Sequence, residues 1–497
     1  MARQNLNKYR FSMLQKHLKQ ENPLLGDVLE MFKKLDRIGR GLGYLEKGGS
    51  FALTTSWWPL ISALGTYSSG KSSFINYYLK TDLQSTGNQA VDDKFTVVCY
   101  SGEDKIQTLP GQALDSDPRF PLYNIGQSIE EAAPGEGRSV DGFLQLKTCS
   151  SDRLKGKILV DSPGFDADAQ RDATLRITDR IMDLSDLVLV FFDARHPESG
   201  SMRDTLKHLV QNTVKRSDAN KFMYILNLVD ATAKEDNPEE VFAAWQRSLA
   251  QHGLIAGGYY SVYNPDVAIP IEDEALRQRY EKKCFHDLSR IFERIDQVKI
   301  DRVYRIVGLL ERSTRMLEKD LVPLVSRFLK KLRKQVLLVE GALLLLALAL
   351  VWFFLARFTE ASFVSLVFSF PGKLLSDLSW QLGTLAVLLL AGWAHFSLRS
   401  RLGRRLQKKT LDRIKDKRFR EGCAGAIGKN LRWWRSIWRR RPVGWSRRTE
   451  KNSTLILEEV DGFIQKLNDM YTDPSGEKRQ ERTPEEIREA ANPGDQD

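Results

Sequence analysis

Apolar and polar residues alternate along this chain with two different periods, which predict where helices and strands lie. Residues 1–47 repeat their apolar positions at helical spacing, and the repeat stops at Gly48-Gly49. Residues 53–270 hold seven short β-rich runs separated by amphipathic stretches. The runs read WWPLISAL, KFTVVCY, GFLQLK, KILVD, DLVLVFFDA, KFMYILNL and YYSVYNP. This alternation predicts an α/β domain with a mostly parallel sheet.

Two long apolar segments follow, at 336–355 and 378–398. The first carries one charge, Glu340, and the second carries none unless His395 is protonated. About 20 helical residues cross a hydrocarbon core of about 30 Å, so both segments are long enough to span a membrane. We predict a transmembrane hairpin of two helices; a pair of buried core helices is the alternative. Glu340 lies either at the cytoplasmic interface or inside the membrane as a functional acid.

Basic residues are concentrated next to the apolar segments. The 497 residues have a formal net charge of +11, but 399–451 alone carries +16 and the rest of the chain sums to −5. Lys and Arg also precede the first segment, whereas the connection 357–377 is neutral. By the positive-inside rule we predict an integral membrane protein with both termini cytoplasmic, in the plasma or inner membrane if the chain is bacterial.

Arginine and tryptophan are mixed in RWWRSIWRRR at 432–441. This composition suits an anionic membrane surface, where each basic residue contributes about 1 kcal/mol. Nucleic acid also binds arginine and aromatic side chains, and a solvated helix face is a third reading. We expect anionic lipids to bind through 399–451 and expect no nucleic acid, because the segment is tethered within reach of the bilayer.

The strongest motif reads GTYSSGKS, the pattern GxxxxGK[ST] between an apolar run and a helical stretch. Its glycines let backbone N–H groups converge on phosphate oxygens, and the following helix adds its dipole. Lys71 is predicted to bridge the β- and γ-phosphates, and the Ser72 hydroxyl to ligate Mg²⁺. The predicted phosphate-binding residues are consecutive: Gly65, Thr66, Tyr67, Ser68, Ser69, Gly70, Lys71, Ser72 and Ser73.

Two shorter motifs stand at the ends of predicted strands. Asp161 ends KILVD, where its carboxylate is placed to hold Mg²⁺ through water, and the Gly164 N–H is placed to sense the γ-phosphate. Asn227 and Asp230 follow KFMYIL. The Asp would accept from two N–H groups of guanine that adenine lacks, and Asn227 would tie the base loop to the phosphate loop. GTPases have NKxD here, and Leu228 replaces the Lys whose stem covers the base.

These motifs resemble those of a known family. LGTYSSGKSSFINYYL looks like the phosphate loop of the dynamin superfamily, and most closely that of the EHD ATPases, which reads LGxYSTGKTTF. VDDKFTVVCYSG resembles the EHD switch region, which carries TTDRF, and VDSPG, FFDA and LNLVD follow in family order. The resemblance covers about residues 24–265. A membrane segment between two helical arms is similar to bacterial dynamin-like proteins and mitofusins.

The resemblance implies a membrane-anchored GTPase that uses Mg²⁺ and couples GTP binding and hydrolysis to association of its G domains and to membrane remodelling or tethering. It also implies catalysis by the phosphate loop itself, with Lys71 on the phosphates and a Ser at the position of Ser68 helping to hold a charge-compensating cation. Tyr67 matches the EHD residue at a position where dynamins have Gln.

Switch I departs from the family pattern. The threonines that should close over Mg²⁺ fall on Val91-Asp92, so Thr96 or Thr86 would have to substitute. Further on, Arg195-His196 would either reach the nucleotide or a partner G domain, or belong to a solvated loop.

Three alternatives stay open. An EHD-like ATPase shares the phosphate loop, and base competition would distinguish it. A non-hydrolysing, nucleotide-gated membrane scaffold or signalling switch agrees with the displaced switch threonine. A transporter or channel would use the two spans, which offer little pathway unless the chain oligomerises.

The predicted fold is therefore an α/β P-loop NTPase G domain with an α-helical stalk and a two-helix transmembrane hairpin. Six parts are predicted: an N-terminal helical segment at 1–52, a dynamin-type G domain at 53–270, a helical arm at 271–335, the hairpin at 336–398, a basic helical arm at 399–472 and a disordered tail at 473–497.

Overall fold

The computed structural model divides the chain into two compact units. One comprises residues 8–23 and 50–306, and the other comprises 1–7, 24–49 and 307–497. The structure describes residues 2–85, 94–116, 120–123, 125–132, 140–164, 172–195, 219–233, 238–254, 257–358, 378–433 and 435–471. The predicted tail at 473–497 lies outside the described residues.

The first unit is built on an eight-stranded sheet. Its strands are β1 Leu60–Gly65, β2 Phe95–Tyr100, β3 Gln107–Pro110, β4 Leu144–Cys149, β5 Ile158–Asp161, β6 Leu187–Asp193, β7 Phe222–Asn227 and β8 Gly258–Ser261. They lie in the order β3-β4-β2-β5-β1-β6-β7-β8. Only the pairs β2–β5 and β3–β4 are antiparallel among the described strands. The mostly parallel sheet and all seven predicted strands are confirmed.

Helices account for most of the remaining described residues. They are α1 Ala2–Glu21, α2 Pro23–Leu42, α3 Lys71–Leu79, α4 Gln112–Ser116, α5 Ile125–Ala132, α6 Val140–Phe143, α7 Asp172–Leu184, α8 Pro238–Gln251, α9 Glu274–Arg315, α10 Val322–Phe358, α11 Leu378–Leu411, α12 Lys417–Asn430 and α13 Arg447–Tyr471. A π-helical turn, Met316–Leu321, connects α9 to α10. The long helices predicted before and through the first apolar segment are therefore confirmed.

The sheet is covered by helices on both faces, because its central strands are apolar throughout. Along β6, Leu189 and Phe191 pack with α3 and α9. The alternate residues Val190 and Phe192 pack with α7 and α8 around Trp245. Successive side chains of a strand point to opposite faces, so one uninterrupted apolar strand forms two cores.

A buried acid, Asp186, binds the start of β1, which is the end of the strand away from the phosphate loop. Asp186, which immediately precedes β6, accepts a hydrogen bond from the Leu60 N–H at 2.9 Å. Its Oδ1 also accepts from Arg302 at 3.1 Å and from Arg305 at 2.5 Å. The carboxylate is 1% exposed, and it joins two strands to the first part of α9 within this unit.

In the second unit, α10 and α11 lie side by side. Glu340 Oε1 and His395 Nδ1 are 2.5 Å apart, which joins the start of one apolar segment to the end of the other and makes the helices antiparallel. Their large apolar side chains face outward, with Leu345, Trp352 and Trp393 between 67% and 68% exposed. This exposure contradicts a pair of buried core helices. Both helices are long and apolar enough to cross a membrane.

The helical prediction for the basic arm is wrong in its middle. Helix α12 ends at Asn430, whose Oδ1 accepts from the Val443 N–H at 2.9 Å, and turns follow until α13. The carbonyls of Arg432 and Trp433 accept from the guanidinium of Arg399 at 3.5 Å and 3.3 Å, and the Arg432 carbonyl also accepts the turn hydrogen bond of the Arg435 N–H at 3.0 Å. The described part of the Arg-Trp segment is therefore not a helix face.

Candidate nucleotide-binding site

The phosphate loop lies between β1 and α3, at the carboxyl edge of the sheet. Gly70 adopts a left-handed conformation with φ of 77°, and α3 begins at the next residue. A Cβ on Gly70 would collide with the side-chain amide of Asn227. Only glycine permits both the conformation and this approach. The loop therefore directs its N–H groups and the start of α3 to one place, as phosphate binding requires.

Lys71 is buried under this loop. Its Nζ donates to the carbonyl oxygens of Gly65 and Thr66, at 3.1 Å and 2.9 Å. Burial lowers the pKa of Lys71 from 10.5 to about 8, although the charge of Asp161 opposes the change. The ammonium group thus sits among neutral carbonyls, and an anion in the loop would stabilise its charged form.

Asp161, at the end of β5, is the centre of a hydrogen-bond network. Its Oδ2 accepts from Ser72 Oγ at 3.0 Å and from Gln84 Nε2 at 2.8 Å. Gln84 Oε1 in turn accepts from Lys147 Nζ at 2.7 Å. Asn76 on α3 fixes the backbone of Gln84 through two hydrogen bonds. Gln84 and Lys147 belong to no motif, so no sequence pattern indicates their role in this network.

The oxygen donors at this point fit a magnesium ion. Ser72 and Asp161 provide a hydroxyl and a carboxylate side by side, and Mg²⁺ prefers oxygen ligands while keeping several waters. Among the described residues, no group of three His, Cys, Asp or Glu side chains could hold a metal ion. The rest of the coordination would therefore come from phosphate and water, as in other phosphate-loop sites.

The DSPG segment touches the phosphate loop directly. A Cβ on Gly164 would lie 2.7 Å from the Cα of Tyr67, so a larger residue would push the two segments apart. Ser69 Oγ donates to the Thr66 carbonyl at 2.8 Å and stabilises the loop from inside. Ser68 has a φ of 56°, a left-handed conformation that is strained for a residue with a side chain.

The base loop follows β7. Asn227 Nδ2 donates to the Ser69 carbonyl at 2.9 Å, which is the predicted tie between the base loop and the phosphate loop. Asp230 Oδ2 accepts from the Ile269 N–H at 2.8 Å. Asp230 Oδ1 is buried and has no hydrogen-bond partner among the described residues. Leu228 adopts a left-handed φ of 65° and approaches Gly70, so its side chain covers the loop.

The other predicted site residues that the structure describes lie outside the hydrogen-bond networks around Lys71, Asp161 and Asp230. Ser73 accepts from Asn264 at 2.9 Å. Thr96 lies within β2, is fully buried and accepts from Gln145 at 2.8 Å. Arg195 pairs with Asp193 at 2.7 Å, with its nearest loop contact the Ser68 carbonyl at 3.5 Å. Thr86, Val91, Asp92 and His196 lie outside the described residues.

A mostly parallel sheet with this loop, acid and base segment at one edge defines the fold of this unit as that of a P-loop NTPase of the G-domain type. Residues 61–229 match the family model described as "Dynamin family". Over these residues, which are about a third of the chain, the sequence is similar to the dynamin family.

Two curated proteins are similar over about a third of this chain. "EH domain-containing protein 1" of Arabidopsis thaliana is 26% identical over 185 residues, which are 35% of this chain and 30% of that protein. "Uncharacterized protein in xynA 3'region" of Caldicellulosiruptor sp. is 22% identical over 178 residues, 36% of this chain and 42% of that protein. The matches thus span less than half of either relative.

Solved structures of bacterial dynamins are similar over most of the chain. An oligomerised bacterial dynamin pair is 13% identical, with 94% of this chain and 76% of that chain covered and a TM-score of 0.32. LeoA, a bacterial dynamin GTPase from ETEC, is 13% identical, with coverage of 92% and 77% and a TM-score of 0.30. Likenesses this weak carry no information about what this chain binds or does.

Proposed function

We propose that this chain is a membrane-anchored dynamin-like GTPase, which couples GTP binding and hydrolysis to association of its G domains and to membrane remodelling or tethering. The observation that carries the proposal is the buried, unpartnered Oδ1 of Asp230. A buried oxygen without a donor is costly, so its position beside the phosphate loop favours a ligand that brings N–H groups. Guanine brings them to this place and adenine does not.

The phosphate end of the site has the groups that phosphoryl transfer needs. Lys71 would hold the β- and γ-phosphates, Ser72 and Asp161 would hold Mg²⁺, and Gly164 would offer its N–H to the γ-phosphate. When bound, Mg²⁺ would neutralise charge that develops on the phosphates. Ser68 would help to hold a second, charge-compensating cation, and Thr96 or Thr86 would serve as the switch threonine.

The membrane half of the proposal rests on α10 and α11. Their outward-facing apolar side chains would contact lipid, with both chain ends on the cytoplasmic side. The basic segment 399–451 would bind anionic lipids. Nucleotide-dependent pairing of G domains would then connect membranes or change their shape.

Base competition on the full chain tests the proposal. A fragment ending at residue 270 is unsuitable, because Leu288, Ile291 and Ile295 of α9 are part of the core that supports α3. Detergent-purified protein would be titrated with fluorescent GTP and Mg²⁺, then with unlabelled GTP or ATP. We expect displacement by GTP and not by ATP, with that preference lost in Asp230→Ala and kept in the control Asp152→Ala, which removes an exposed acid.

Equal or stronger displacement by ATP would contradict guanine recognition and support the EHD-like ATPase. Turnover is measured separately, in vesicles and at increasing protein density. GTP hydrolysis that is lost in Lys71→Ala supports the enzyme. Tight GTP binding without turnover at any density would instead support the nucleotide-gated scaffold or switch.

A further inference from the structure

Two arginine side chains near the end of the predicted second span have a buried Nε that lacks a hydrogen-bond partner among the described residues. Arg399 is 4% exposed, and its Nε has no partner among the described residues. Its Nη1 and Nη2 make only long hydrogen bonds, to the carbonyls of Trp433 and Arg432. Arg435 is half-buried, and its Nε is also buried without a partner. A buried guanidinium is costly unless it is paired and hydrogen-bonded.

Positive charge accumulates around these two residues. Lys429 has its pKa lowered by burial and then by the charges of Arg432 and Arg435. Burial also lowers the pKa of Arg399, with no acid opposing it. Within the described part of the chain, no ion pair involves Arg399 or Arg435. Arg399 and Arg435 are linked through one carbonyl, because the Arg432 oxygen accepts from Arg399 Nη2 at 3.5 Å and from the Arg435 backbone N–H at 3.0 Å. The two side chains that have no acid partner among the described residues are thus neighbours.

Two tryptophans in the same segment as Arg435, Trp433 and Trp438, are largely exposed. Trp433 stands edge-on to Phe396, with ring centroids 6.1 Å apart, and is 68% exposed. Trp438 is 59% exposed, and the guanidinium of Arg333 lies 4.1 Å from its ring centroid. Indole rings favour the headgroup zone of a bilayer, where one side is apolar and the other is wet.

The positions of these residues along the chain place them together at one level of the predicted hairpin. Arg333 precedes the first apolar segment by three residues, and Arg399 is the first residue after the second. Because α10 and α11 are antiparallel, these two ends share one side of the hairpin. If the hairpin spans a membrane, the side in question is the cytoplasmic headgroup layer.

We propose that Arg399 and Arg435 form a specific site for the phosphate group of an anionic lipid headgroup, with Trp433 and Trp438 at the same level of the bilayer. The inference rests on the proposed function and narrows the basic segment to one site. A phosphate offers several acceptor oxygens, which match the planar fork of arginine. It would also bring negative charge to Arg399 and Arg435, each of which has a buried Nε without a hydrogen-bond partner among the described residues.

Lipid binding to the full chain in detergent tests the site. Native mass spectrometry would measure the affinity of the first bound phosphatidylglycerol for wild type and for the double variant Arg399→Gln/Arg435→Gln. The matched control, Arg401→Gln/Arg405→Gln, removes two exposed charges from α11. We expect the double variant to bind about tenfold more weakly or worse, and the control to change by less than about twofold.

Two further measurements keep the result interpretable. Fluorescent GTP binding by the same preparations reports whether each variant is folded. Arg399→Lys keeps the charge but loses the guanidinium fork. A specific site predicts weaker lipid binding by this variant, whereas diffuse attraction to a basic surface predicts unchanged lipid binding. An equal loss in the matched control, or full binding by the double variant with GTP binding intact, would overturn the proposal.

Competition distinguishes the two sources of phosphate. Phosphatidylglycerol that resists millimolar inorganic phosphate and soluble glycerophosphate supports a lipid site. Displacement by either soluble anion would overturn it in favour of a soluble phosphate ligand. Alkaline extraction of the full chain from membranes tests membrane anchoring separately. An extractable chain that still shows the arginine-dependent lipid binding would contradict the proposed anchoring and leave the headgroup site standing.

Discussion

Basic side chains in different parts of the molecule are compensated in two different ways. In the unit that comprises residues 8–23 and 50–306, Arg302 and Arg305 share the carboxylate of Asp186. The carboxylate is 1% exposed, whereas Arg302 is 15% and Arg305 43% exposed. In the other unit, Arg399 and Arg435 have no acid partner among the described residues. Lys71 resembles the second case, because its nearest hydrogen-bond partners are carbonyl oxygens.

The presence or absence of an acid partner suggests two roles for these side chains: stabilising the fold, or binding an anion from outside the chain. A buried cation that the chain neutralises itself stabilises the fold, and removing its partner leaves an uncompensated charge. A buried cation without such a partner is stabilised by an anion from outside. Lys71 lies in the phosphate loop, and Arg399 and Arg435 lie next to a predicted membrane surface. Under the two proposals both places would receive phosphate.

The largest effect is expected from a substitution that removes the acid partner of Arg302 and Arg305. Asp186→Asn removes the charge that holds Arg302 and Arg305, and should destabilise the sheet by about 3 kcal/mol. Hydrogen exchange of β1 and β6 amides in the full chain measures this as faster opening. The control Asp152→Asn breaks an exposed pair with Lys155 and should cost less than about 0.5 kcal/mol. Equal protection in both variants would contradict the structural role of Asp186.

The next largest effect tests whether a bound anion stabilises the charged form of Lys71. Because burial lowers its pKa to about 8, Lys71 is charged below that pH and neutral above it in the empty site. GTP affinity should be constant at lower pH and fall about tenfold per unit above about pH 8, since binding then takes up one proton. Fluorescent GTP titrations over this range measure the profile. Lys71→Arg keeps its charge, so any binding it retains should show no such fall; an equal fall there would assign the titration to another group.

A smaller effect concerns how the site is held together. Gln84→Ala removes the amide that orients Asp161 and the acceptor that pairs with Lys147. The Mg²⁺ affinity of the GTP-bound protein should fall about tenfold, as is typical when a partner of a metal ligand is lost. GTP binding without Mg²⁺ should not change. Gln107→Ala, which breaks an exposed hydrogen bond to Glu103, is the control. Unchanged Mg²⁺ affinity in Gln84→Ala would exclude this positioning role.

The smallest effect is expected for a buried lysine whose acid partner is exposed to solvent. Lys157 is buried, but its partner Asp296 is 69% exposed and therefore well solvated. Lys157 also donates to Tyr78 at 2.8 Å. Asp296→Asn should cost about 1 kcal/mol, less than Asp186→Asn, because water already weakens the pair. Hydrogen exchange in β5 would report it, and a loss as large as that of Asp186→Asn would remove the distinction between exposed and buried partners.

Local sequence patterns predicted most of the nucleotide-binding unit. Seven strands were found because each is an apolar run between breakers, and the phosphate loop because its spacing is dictated by phosphate geometry. Strand β3 was missed, since its four residues form a mostly exposed edge that pairs only with β4. Such a strand forms because it pairs with the neighbouring strand, and its own sequence has little of the apolar pattern that predicts a strand.

Interactions between distant parts of the chain could not be predicted in the same way. Gln84 donates to Asp161 while Asn76 holds its backbone through two hydrogen bonds, and no motif has this spacing. Arg399 is one of twenty basic residues between 399 and 451, so its burial is visible only once the turns after α12 bring two carbonyls to it. Charge composition predicted a basic membrane-facing segment, whereas the particular arginines depend on tertiary packing.

The most direct test of the account is GTP-dependent association of vesicles that carry the full chain and contain phosphatidylglycerol. Light scattering would follow vesicle clustering after addition of GTP and Mg²⁺, with Lys71→Ala as the matched variant. The account predicts clustering that needs GTP, is absent in Lys71→Ala and is weakened in Arg399→Gln/Arg435→Gln. Clustering that proceeds equally without GTP, or equally in Lys71→Ala, would contradict the coupling of nucleotide to membrane.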